Sequence, residues 1–205
     1  RTTAVIKQIN SYTAAMTSFR DTYGYLPGDL PAATTRLRDC TPGLCFDGNG
    51  NGVIGTPDFI YVMGDQSRTS ENQQMWTHLQ IADMSGGIET ETTEMGFGVS
   101  HPLASYGGGF TAIFGSAGNS VASSYGLWLR LHNSLSDPNP EIGGRVTPHW
   151  GAIVDRKMDD GEPSFGIVRA FQQGNPAPGT PDNCEHEYDE SSIQEHCLMT
   201  FRITN

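Results

Sequence analysis

The segment DGNGNGVIGTPD, residues 47–58, sets oxygen-bearing side chains at alternate positions with glycine between them. Calcium chemistry needs that pattern, because alternate oxygens converge on one point while glycine lets the backbone bend sharply. Against the twelve-residue calcium loop, Asp47 takes position 1, Asn49 position 3 and Asn51 position 5. Gly52 supplies the turn at 6, Val53 the backbone carbonyl at 7, and Asp58 the twelfth position. Only Asp47 and Asp58 carry charge, so the expected affinity is modest, on the order of 10⁻⁴ M as in extracellular modules. The bland alternative is a glycine-asparagine turn that holds no metal.

Other constellations point less sharply. Asp155, Asp159, Asp160 and Glu162 follow a helical pattern and read as the capping and solvation of its end. His186 and His196 lie among Glu185, Glu187, Asp189, Glu190 and Glu195. A transition-metal site is conceivable there, but a charged surface loop is the simpler account. Glycine runs at 86–87 and 107–109 lack the flanking strand, helix and lysine of a phosphate cradle. No GxSxG elbow occurs, and no pair of carboxylates is singled out for glycoside chemistry. No catalytic residue is assigned, and an enzyme is not expected.

The four cysteines form two local pairs, Cys40 with Cys45 and Cys184 with Cys197. Neither pair has the CxxC spacing of a zinc site, so two disulfides in an oxidising compartment are expected. The net charge of -11, with 12 basic residues scattered among 23 acidic ones, excludes a nucleic-acid binder and disfavours an anionic membrane surface.

These groups must be positioned by elements that the hydrophobic spacing outlines. Val5, Ile9, Tyr12, Met16, Phe19 and Tyr23 recur at steps of three and four, one stripe on a helix that must stop near Gly24, before Pro27 and Pro31. Beginning at Arg1 without an N-cap, that helix reads as cut, and the chain as mature, processed or truncated. From Leu26 to Asp65, loop with one or two short helical turns is expected. Ser70 and Gln73 form a capping box for a second helix, with Met75, Trp76, Leu79 and Ala82 on its apolar face and Gly86-Gly87 at its end. Phe110–Phe114 and Ser124–His132 read as strands, the second with Leu127, Leu129 and Leu131 alternating. Thr147-Pro148 opens a short helix to about Met158, and Gly166–Phe171 and Leu198–Ile203 are further strands. Helix first and strands late, without βα alternation, predicts an α+β fold with an antiparallel sheet. The 25 glycines predict many loops, and no linker divides the 205 residues, so a single domain is expected.

With these elements in order, the chain resembles the type IV pilin-like proteins. AVIKQINSYTAAMTSFRDTYGYLPGDLPAAT is similar to the exposed half of their long first helix and its exit loop, including a YG-x-LPGD turn at Tyr23–Asp29. MWTHLQIADM (75–84) resembles the second helix of one prepilin-type group. RVTPHWGAIVDRKMDDGEPSFGIVRA (145–170) resembles that group's helix, Lys-x-Asp-Asp-Gly-x-Pro turn and following strand. The Cys184–Cys197 loop before a last strand is similar to the disulfide-bounded C-terminal region of many pilins. The glycine-rich stretch 95–125 has no counterpart in the resemblance.

The resemblance implies a pilin-like fold, with residues 1–26 as the C-terminal half of the long helix and 27–205 as the head. It implies a subunit of a type IV pilus or a type II secretion pseudopilus. Its partners would be other pilin or pseudopilin subunits, and an apolar segment upstream of Arg1 would anchor it in the inner membrane before assembly. The head would lie in the periplasm or at the cell surface. A different class stays open, a secreted calcium-dependent binding module. Aspartate at the twelfth loop position resembles dockerins, although a dockerin normally carries two such loops and here there is one.

Overall fold

The computed structural model describes residues 1–55, 67–117, 124–133, 135, 146–172 and 184–204. Helix α1 spans Thr2–Tyr23 and buries Val5, Ile9, Tyr12, Ala15, Met16 and Phe19. It closes where the first left-handed residue becomes available. Gly24 sits at φ 79° and turns its N–H to the Arg20 carbonyl. At the other end Arg1 makes no side-chain cap.

The chain then forms the single turn α2, Ala33–Arg36, and enters α3, Glu71–Ile81. Ser70 caps α3 by accepting from the Gln73 N–H at 3.4 Å. The helix stops five residues before Gly86, earlier than the glycine pair predicts. Asp83 adopts φ 60°, and the N–H groups of Met84 and Ser85 fold back on the Leu79 carbonyl at 3.0 and 3.2 Å. Those bonds satisfy the last carbonyls without glycine. Helix α4, Pro148–Met158, begins with Thr147 Oγ1 accepting from the Trp150 N–H and proline in the first turn.

Four strands form one antiparallel sheet in the order β1 (Gly109–Ala117), β2 (Ser124–His132), β4 (Cys197–Thr204), β3 (Val168–Gln172). Strand β3 starts two residues later than its apolar run suggests. Gly166 stands at φ 71°, and Asp159 Oδ2 accepts the N–H groups of Ile167 and Val168, so the ladder cannot begin sooner. The fold is therefore α+β, an N-terminal helix with a four-strand antiparallel sheet.

Phe110, Ala112, Leu127, Leu129, Leu131, Val168, Ala170, Met199 and Phe201 join the α1 stripe in one core. Tyr12 seats its ring edge on Trp76 and on Phe110, with centroids 5.2 and 5.6 Å apart, which ties α1 to α3 and to β1. The opposite sheet face is buried as well, and it is polar. Thr111, Arg130, His132, Arg169 and Thr200 accompany Ile113 and Trp128 there. Arg169 and Arg202 stand 5.4 and 5.8 Å from the Trp128 ring. Both cysteine pairs are joined, Cys40–Cys45 and Cys184–Cys197, with Cα separations of 5.2 and 5.6 Å. Among the described residues no helix is long and apolar enough to cross a membrane.

Candidate functional site: a loop braced by carboxylates and a histidine

Glu71, Gln74 and His78 fall at i, i+3 and i+7 of α3, so the helix presents them along one side. Each reads the backbone of the segment that carries the calcium-loop pattern. Glu71 Oε1 accepts from the Asn49 N–H and Oε2 from the Gly55 N–H, both at 2.9 Å. Gln74 Oε1 accepts from the Phe46 N–H at 2.9 Å. His78 Nε2 meets the Phe46 carbonyl at 2.9 Å, while its Nδ1 faces the Gly28 N–H at 2.9 Å. An amide can only donate, so Nδ1 carries the lone pair and Nε2 the hydrogen. His78 is thus a neutral bridge, and burial holds its pKa down at about 4.

The loop's other flank is held by Asp29, a fully buried carboxylate. Its two oxygens accept from the N–H groups of Asn51 and Gly52 at 2.9 Å each. Its own carbonyl accepts from the Gly50 N–H at 3.1 Å. The chain can lie this close because Gly48 has no side chain; a Cβ there would come within 2.3 Å of the Asp29 backbone. Burial raises the Asp29 carboxyl above the usual range, and the three N–H groups counter it. Glu71 is raised in the same way, with a further push from Asp29.

The sequence-predicted ligands fall as follows. Asp47 is exposed and turns Oδ1 to the N–H and hydroxyl of Thr34, at 2.8 and 3.0 Å. Asn49 Oδ1 accepts from the Asn51 N–H, and Asn51 Oδ1 from the Val53 N–H, each at 2.9 Å. These are two consecutive Asx turns. Asp58 lies outside the described residues. The loop is therefore curled by donors aimed at Asp29 and Glu71, two carboxylates that the spacing of 47–58 does not contain. Asp29 closes the LPGD turn and Glu71 opens α3. Nothing local marks either as a partner of a loop 22 residues away.

Carboxylates also gather after α4. Ligand-capable oxygens of Asp155, Asp159 and Asp160 lie within 4.8 Å of one another, and among the described residues this is the one such group of three or more. Each carboxylate also closes a turn, as the position after a helix predicts. Asp155 accepts from the Tyr188 hydroxyl at 2.8 Å and the Gly161 N–H at 3.1 Å. Asp159 takes the Ile167 and Val168 N–H groups, and Asp160 that of Glu162 at 2.9 Å. Burial pushes the Asp155 carboxyl up to about 6, opposed by those hydrogen bonds and reinforced by Asp160 and Asp159. Chemically the group can hold a hard cation.

The loop between Cys184 and Cys197 is clamped to α4. Glu190 takes Arg156 Nη1 and His149 Nδ1, both at 2.8 Å, on the protein surface. His196 bonds the neighbouring Gln194 at 2.6 Å, and neither His186 nor His196 belongs to the acidic group.

No protein-family model, no curated protein and no solved structure matches the chain.

Proposed function

We propose that this chain is the head of a type IV pilin-like fibre subunit, of either a pilus or a type II secretion pseudopilus. The observation that carries the reading is the placement of α1. A helix of 22 residues lays one continuous apolar stripe into a head built on an antiparallel sheet. Its other side, from Asn10 and Ser11 to Ser18 and Asp21, is left exposed for neighbours. The disulfide-bounded segment before the last strand supports the same reading. In such a fibre the first helices would bundle inside and the heads would face out. The work is structural, and no catalytic residue is assigned.

The full-length protein, co-expressed with a prepilin peptidase, is expected to be shortened and to enter sheared fibres. There, cysteine placed at the exposed Ser11 cross-links adjacent subunits. Uncut protein absent from the fibre fraction overturns the proposal.

We place a calcium ion within the same head on Asp47, Asn49, Asn51, the Val53 carbonyl and Asp58. Support comes from a loop already curled, with Gly50 and Gly52 at φ 73° and 86°. An Asx-turn oxygen also keeps a second lone pair for a cation. The ion's role would be to order the connection between the Cys40–Cys45 link and α3.

A further inference from the structure

A group of buried nitrogen donors collects where the turn before α3, the segment ahead of β1 and the end of β2 meet. His132 pairs with Gly109, Gly109 bridges to Leu103, and the Phe110 N–H bonds the Pro102 carbonyl at 3.0 Å. His101 and His132 therefore lie on neighbouring ribbons at one end of the sheet. They are 0% and 1% exposed, and they are coupled electrostatically to each other and to Arg68 and Arg130.

Five nitrogens here have no partner: Nε2 of His101, Nε2 of His132, and Nε, Nη1 and Nη2 of Arg68. Their chemistry can be assigned. Ser100 Oγ accepts from the Gly96 N–H at 3.0 Å and lies 2.9 Å from His101 Nδ1, closer than the 3.3 Å to the Gly96 carbonyl. Its hydrogen therefore goes to Nδ1, which leaves Nε2 of His101 as an N–H donor. A buried guanidinium without a counter-charge is strongly destabilising, and unsatisfied buried donors add to the cost. A metal ion does not answer this need, because guanidinium groups flank both imidazoles and repel a cation. An oxyanion does. It accepts from every one of these donors, and the planar guanidinium fork matches two of its oxygens.

We propose that Arg68, His101 and His132 form a buried receptor for a small tetrahedral oxyanion of the phosphate or sulfate class. The bound anion ties the turn that opens α3 to the end of β2. With a net charge of -11 the molecule repels anions at long range, so the receptor acts through direct contact.

Thermal melts and calorimetric titration of the intact head with inorganic phosphate, sulfate, chloride and acetate, at equal ionic strength and pH, test the proposal. Phosphate and sulfate are expected to raise the melting midpoint saturably with one site per chain, and chloride to leave it unchanged. Arg68→Gln is expected to weaken phosphate about tenfold or more, the loss of one charge-assisted hydrogen bond. Arg156→Gln, on the surface beside Glu190, should bind as the wild type does. If Arg68→Gln does not fold, the wild-type titrations still decide. A midpoint indifferent to phosphate, an equal response to acetate, or an unchanged affinity in folded Arg68→Gln each overturns the proposal.

Discussion

The Gly28 N–H donates to Nδ1 of His78 across 2.9 Å, joining two residues 50 positions apart in the chain. Through the opposite nitrogen the same ring reaches the Phe46 carbonyl. One neutral imidazole therefore fastens the turn after α1 and the strap after Cys45 to α3. Only the tautomer with Nδ1 bare can do so, which makes the junction sensitive to acid.

His78→Ala should cost about 2–4 kcal/mol, since it leaves the Gly28 N–H and the Phe46 carbonyl without partners and opens a cavity. The pH dependence has a definite sign. Burial lowers the folded pKa from an ordinary 6.5 to about 4, so between those values the unfolded chain binds more protons. The contribution is complete above pH 6.5 and is lost as pH falls toward 4, up to about 3 kcal/mol. His101 and His132, both held at about 3 by burial first, act in the same direction. Urea titrations at pH 7.5, 5.5 and 4.5 check this. His78→Gln should show a shallower decline than the wild type, and parallel curves would remove His78 from the account.

Asp155 works against the histidines. Its carboxyl is raised to about 6 by burial, so the folded state binds the extra proton between pH 4 and pH 6. Stability from this group is present at low pH and lost as pH rises through that window. Asp155→Asn keeps an acceptor for the Tyr188 hydroxyl and should abolish this slope. The stability difference between wild type and variant, followed from pH 4 to pH 7, should fall steadily; a flat difference would contradict the assignment.

Calcium should raise the melting midpoint. A Kd on the order of 10⁻⁴ M and millimolar ion give roughly 1 to 2 kcal/mol. Asp47→Ala should remove that gain, while Asp160→Asn should leave it intact. Identical midpoints with calcium and with chelator would leave 47–58 an ordinary turn. A gain lost only in Asp160→Asn would move the ion to the turn after α4.

Replacing Cys184 and Cys197 together by serine should cost roughly 3 kcal/mol, and replacing Cys40 and Cys45 about 2, because the first link closes the longer loop. Denaturant melts of the two double variants give the order, and mass spectrometry of the unreduced protein should show no free thiol.

What the sequence determined by itself was whatever depends on near neighbours. The stripe from Val5 to Phe19, the stop at Gly24, the caps at Ser70 and Thr147 and the two cysteine pairs follow from periodicity, cap chemistry and short spacing. All are present in the fold. Tertiary structure decided the rest. It ended α3 at Ile81, because the backbone of Met84 and Ser85 could satisfy the last carbonyls before any glycine arrived. It buried Gln73, Gln74 and His78 on a helix whose apolar face alone was legible, and it buried the polar face of the sheet, Arg130 and His132 included. It also turned Asp29 and Glu71 into the supports of the 47–55 loop. A polar side chain is stable inside only where a particular donor or acceptor meets it. For Asp29, Glu71 and His78 those partners stand 16 to 50 residues away in the chain.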